Sequence, residues 1–112
     1  MLAHLTDLEP EWIVVGEAPN ARRRDASLTA ETAQGIVFLC PQCFAKNGGP
    51  VGTHSVMLWF RDRGVPKGHE PGPGRWAVEG RGFEDLTLHP SVDLSKGIPG
   101  EWHGWIKNGV AT

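Results

Sequence analysis

Short apolar runs, several of them alternating with polar residues, are separated along the chain by dense turn residues. Trp12-Ile13-Val14-Val15 is β-branched and aromatic and is closed by Gly16 and Pro19-Asn20, which predicts a strand over Glu11 to Val15. Gly35-Ile36-Val37-Phe38-Leu39 predicts a second strand that runs straight into Cys40. From Thr53 to Phe60, residues His54, Val56, Leu58 and Phe60 fall on one face and Ser55, Met57 and Trp59 on the other. Both faces are largely apolar, which predicts a central strand. Arg75 to Glu79 and Leu86-Thr87-Leu88 alternate in the same way, with a turn over His89 to Asp93 after them. Trp102 to Lys107 ends at Asn108-Gly109, a two-residue hairpin signal that leaves only Val110 to Thr112 for a stunted return strand.

One stretch reads as helix: Asp25 or Ser27 can cap one or two turns over Leu28 to Ala33, with Gly35 ending them. Arg22-Arg23-Arg24 reads as a solvated loop, as does Arg61 to Arg75, which holds three prolines and four glycines. The expected fold is mainly β: a small antiparallel sheet or partly open barrel with a zinc-knuckle-like turn and at most one short helix.

Composition narrows the function classes. A chain of 112 residues builds one core, so residues 1–112 are expected to form a single domain. Eleven Lys plus Arg against thirteen Asp plus Glu give a net charge of -2, so generic nucleic-acid coating is disfavoured. The apolar runs fall far short of the ~20 residues of a membrane span, and Asp7 and Glu9 interrupt any signal-peptide core. A cytoplasmic protein is expected.

Cys40-Pro41-Gln42-Cys43 carries the first candidate chemistry. Two thiolates at this spacing on a turn suit tetrahedral zinc, and turn amides can donate to the sulfurs. His54 opens the returning strand and His103, between Trp102 and Trp105, opens another, so Cys40, Cys43, His54 and His103 are the expected ligands of a structural zinc. His89 is the alternative fourth ligand. Reduced, non-ligating thiols and thiol–disulfide exchange are competing readings of the same pair. His4 and His69 are expected to be structural. The second candidate is Ser91 in the Pro90-Ser91-Val92 turn, with His103 or His54 as base and Asp93 or Glu101 to orient it. Trp59, Trp76, Trp102 and Trp105 sit at strand-like positions, where core packing is the ordinary role and a stacking platform the sharper one.

Five segments in order, from Gly35 to Phe44, Asn47 to His54, Pro73 to Trp76, Leu86 to Ser91 and Trp102 to Gly109, resemble an uncharacterised family of bacteriophages and prophages often labelled ammonia monooxygenase. The likeness spans residues 35–109. A soluble chain of this size cannot supply a membrane copper centre, so that label carries no chemistry here. More distantly the chain is similar to a cysteine-containing domain of unknown function found near bacterial ubiquitin-like conjugation genes and regarded as metal-binding or peptidase-like. That resemblance points to Cys40, Cys43, His54, Ser91 and His103. Relatives often carry a further cysteine where Gly100-Glu101-Trp102 stands.

The expectation is thus a small phage-type protein with a structural zinc that binds a host or phage macromolecule in the host cytoplasm. A serine-type peptidase using Ser91 is the alternative, and a virion component a third. Whether the chain is an enzyme stays open at this point.

Overall fold

The computed structural model describes residues 2–112. In chain order the elements are β1 (Ala3–His4), a 3-10 turn (Leu5–Leu8), β2 (Glu11–Val15), β3 (Arg22–Arg24), β4 (Gly35–Leu39), α1 (Pro41–Asn47), β5 (Ser55–Trp59), β6 (Ala77–Glu79), β7 (Thr87–His89), β8 (Val92–Asp93), β9 (His103–Gly104), β10 (Ile106–Lys107) and β11 (Val110–Ala111). The main sheet has the antiparallel order β3-β2-β4-β5, and smaller sheets pair β1-β11-β10, β6-β7 and β8-β9. Among the described residues the fold is mainly β with one α-helix, and no closed barrel forms.

Alternation along β4 and β5 builds two cores. Ile36, Phe38, Val56, Leu58 and Phe60 face the larger one, with Trp102, Leu86 and Leu88 packed against them. Val37 and Trp59 face the opposite side and meet Ile13. Each such buried side chain contributes ~1.5–3 kcal/mol of transfer free energy. The Asn108-Gly109 hairpin forms as the sequence predicts, with Gly109 at φ 74 and Asn108 at φ 48. What the sequence did not signal is that the N-terminus joins it. β1 adds to the far side of β11, and Leu5 and Leu8 are fully buried.

Several local expectations are corrected. Arg22–Arg24 is a strand, paired residue by residue with Ile13–Val15. As an exposed sheet edge it carries charge, which blunts pairing with other chains, and Arg24 meets Glu11 at 2.7 Å. The helix expected over Leu28 to Ala33 is a turn, because Thr29 and Thr32 exchange side-chain oxygens for each other's backbone amides. The helix lies instead at Pro41–Asn47, with Cys40 as N-cap, proline in its first turn and Gly48 at φ 71 closing it. β5 is the last strand of its sheet and not a central one, since beyond it, among the described residues, only Phe60 bridges to Trp76.

Residues 61–75 form a loop, but a pinned one. The Arg75 guanidinium donates to the carbonyls of Pro66, His69 and Pro71, and His69 is buried against Trp59 and the Ala21 carbonyl. Among the described residues no helix is long and apolar enough to cross a membrane.

Candidate functional site

The first site is built by strand alternation. Val92 pairs with Gly104 and Asp93 with His103, and both Val92 and Gly104 point into the protein. Side chains one residue away therefore point outward, so Ser91, Asp93 and His103 share one face. There the Ser91 hydroxyl lies 3.3 Å from His103 Nε2, and His103 Nδ1 lies 3.9 Å from Asp93 Oδ2. The second Asp93 oxygen accepts from the Ser95 hydroxyl and from the Ser95 amide at 3.0 Å. Those bonds, the hydroxyl's first, and the nearby His103 hold the Asp93 carboxyl below the usual carboxylate range. It is therefore ionised where imidazole chemistry operates.

Such a carboxylate favours the imidazole tautomer with its proton on Nδ1, leaving the Nε2 lone pair toward Ser91. The frame is anchored from below. Trp76 Nε1 donates to the Ser91 carbonyl at 3.3 Å. Trp102, one residue before His103, is buried edge-on against Phe38 and donates to the Thr112 carbonyl at 3.0 Å.

The second site follows from the β4–β5 register. Leu39 pairs with Ser55, so the next pair outward is Cys40 and His54, whose backbones are tied by the Cys40 amide donating to the His54 carbonyl at 2.8 Å. The first turn of α1 then carries Cys43 back to the same side, with its sulfur 3.4 Å from His54 Nδ1. One ligand atom each from Cys40, Cys43 and His54 lies within 4.8 Å of the others, an arrangement that can hold a metal ion. Two sulfurs and an imidazole nitrogen are the donors that borderline-soft divalent ions prefer; calcium and magnesium favour oxygen. Burial pushes the Cys40 thiol above its ordinary value, while the Gln42 and Cys43 amides pull it down. A metal must displace that proton, so binding weakens as pH falls. On its outer side the His54 ring meets Glu101, Nε2 to Oε2 3.5 Å.

A family model described as "Bacterial ubiquitination-like system serine protease (BubE)" matches residues 14–112. The chain belongs to the BubE family. No curated protein and no solved structure matches it. The BubE match encloses every residue of both sites, and it agrees with the part of the sequence resemblance that pointed toward ubiquitin-like conjugation.

In this BubE-family chain the two imidazole–carboxylate pairs considered in the sequence separate. His103 and Asp93 stand with Ser91; His54 and Glu101 stand with the cysteines. Of the four residues expected to share a metal, the structure groups Cys40, Cys43 and His54, and directs His103 Nε2 to Ser91 instead. His89, the alternative fourth ligand, lies 3.3 Å from Glu79 in the β6–β7 pair. His4 is on β1. Trp59 and Trp102 are buried, Trp76 is half-buried, and Trp105 is exposed beside Lys107. Two supporting roles are absent from the sequence reading: Ser95 is not singled out there, and Trp76 is expected as a packing or stacking aromatic and not as the donor to the Ser91 carbonyl. Asp93-Leu94-Ser95 was the available signal for the first, since an Asp side chain readily caps the amide two residues on. Nothing in the sequence signals the second.

Proposed function

We propose that this BubE-family chain is a serine hydrolase in which Ser91 is the nucleophile, His103 the general base and Asp93 the carboxylate that orients it. The observation that carries this reading is the Ser91–His103 contact with Asp93 on the far side of the same ring. The 3.9 Å separation is longer than a hydrogen bond, as is common before substrate tightens such a site. In the reaction Ser91 Oγ attacks the acyl carbon and its proton passes to His103 Nε2. His103 then gives the proton to the departing group, and water releases the acyl-enzyme by the reverse sequence.

The His103 side chain is 55% exposed, and the hollows at Trp12–Phe83, Val15–His69 and Phe60–Arg75 involve none of the three residues. An open site of this kind suits a polypeptide lying across the surface rather than a small molecule enclosed in a cavity. With the family's description, this favours an acyl bond of a protein partner in a ubiquitination-like system as the substrate.

A second feature of the reading is zinc at Cys40, Cys43 and His54, favoured by the two-sulfur, one-nitrogen donor set. Bound there, zinc would fasten the end of β4, the start of α1 and the start of β5. The test of the main reading is labelling with a fluorophosphonate probe followed by peptide mass spectrometry. Modification of Ser91 that disappears in Ser91→Ala and in His103→Ala is the expected result. Labelling that persists in Ser91→Ala, or none in the intact protein, overturns it.

A further inference from the structure

The two sites are joined by one short piece of chain. Residues 94–102 connect β8, which carries Asp93, to β9, which begins at His103. At its base the loop is closed by the Leu94 amide donating to the Trp102 carbonyl at 2.9 Å. Its other backbone bonds, from Gly97 and Ile98 to Leu94 and from Glu101 to Ile98, are internal turns. Side chains tie the end nearest His103 to the surroundings of the candidate metal centre at two points, one on His54 and one on the cysteine-bearing segment. Glu101 meets His54 at 3.5 Å, and the Gln42 amide, from between the two cysteines, donates to the Gly100 carbonyl at 2.9 Å.

We propose that Glu101 is a positioning residue that couples metal binding at Cys40, Cys43 and His54 to the placement of His103 against Ser91. The proposal rests on the hydrolase reading for its consequence, but its geometry stands apart from it. The chemistry is a choice of tautomer. His54 Nδ1 faces the Cys43 sulfur and Nε2 faces Glu101. Without a metal, the ring can carry its proton on Nδ1 and donate to the sulfur, which leaves Nε2 as an acceptor opposite a carboxylate. A metal held by Cys40, Cys43 and the His54 nitrogen that faces Cys43 would remove that option, leaving the proton on Nε2 to point at Glu101. Occupancy of the centre would thereby strengthen the 3.5 Å contact at residue 101, two positions from His103, with the buried Trp102 between them carrying the backbone from one to the other. Since a displacement of ~1 Å at a reacting group can cost ~100-fold in rate, a modest slackening of this strap is enough to matter.

The experiment compares zinc-loaded with chelator-dialysed protein as full chain, using the rate of Ser91 labelling and amide hydrogen exchange over residues 94–103. Zinc removal is expected to slow labelling about tenfold and to speed exchange over that segment. Glu101→Ala is expected to bind one equivalent of zinc yet label at the slow rate with or without it. Glu101→Gln, which keeps an acceptor oxygen, is expected to recover most of the zinc response. The coupling is overturned if no zinc binds, if labelling and exchange ignore zinc, or if Glu101→Ala keeps the full response. Should loaded wild-type protein never react at Ser91, the hydrolase reading fails and the exchange measurement alone decides the coupling.

Discussion

Asp93 and His103 are direct cross-strand partners in the β8–β9 pair, so their side chains leave the ladder side by side on its outer face. The carboxylate therefore reaches the imidazole through backbone register, with no long side chain to order. Replacing Asp93 with Asn keeps that shape but lets the imidazole adopt the other tautomer. Asp93→Asn is expected to lower kcat by roughly 100-fold or more with little change in KM, read from steady-state kinetics on an acyl substrate. A KM effect alone would show that Asp93 serves binding instead.

Cys40 and His54 test the metal centre in different ways. Cys40 is fully buried in the larger core, whereas the His54 side chain is 45% exposed. Cys40→Ser is expected to lower the thermal midpoint of both zinc-loaded and zinc-free protein, because it puts a hydroxyl into apolar surroundings. His54→Ala is expected to lower it only in the loaded form, where the lost ligand matters. Scanning calorimetry on both forms distinguishes the two patterns.

Asp85 receives the Gly82 and Arg81 amides at 3.0 and 2.9 Å, and these bonds, Gly82's first, hold its carboxyl below the usual value. The sign follows from linkage: a carboxyl with a lowered folded-state pKa stabilises the fold above its ordinary unfolded value, and that stability is lost as pH falls through the lowered one. Asp85→Asn is thus expected to weaken the protein at pH 7 and to make much less difference near pH 2. Urea unfolding at the two pH values checks it; an equal loss at both would assign the effect to shape rather than charge.

Gly104 has no room for a side chain. A Cβ there would collide with the Thr112 carbonyl oxygen and come within 2.6 Å of Trp102 Nε1. Gly104→Ala is expected to cost about 1–3 kcal/mol by denaturant unfolding and, by shifting β9, to slow Ser91 labelling. Unchanged labelling would mean that His103 is placed independently of the packing beneath its strand.

The sequence alone determined where most strands lie and which of their faces are apolar, because a period of two needs only neighbouring residues to be legible. Ile36 and Phe38 against Val37, and Val56 and Leu58 against Trp59, divide between the two cores in that alternation. It also gave the Asn108-Gly109 turn, the cysteine spacing and Ser91 as a position of interest. Local reading failed where side chains compete for backbone groups, as Thr29 and Thr32 do, and where an exposed segment such as Arg22–Arg24 becomes a strand only because β2 lies beside it.

What tertiary structure alone decided is the partnership of the imidazoles. His54 and His103 look interchangeable in sequence, each opening a strand with a carboxylate within reach. The Leu39↔Ser55 register puts His54 opposite Cys40, and the Asp93↔His103 register puts His103 beside Asp93, within reach of Ser91. Such registers are set by burying one face of each strand against partners distant in the chain, and a slip of one residue would turn every side chain to the other face. That choice depends on the whole core, and so it cannot be read from any segment by itself.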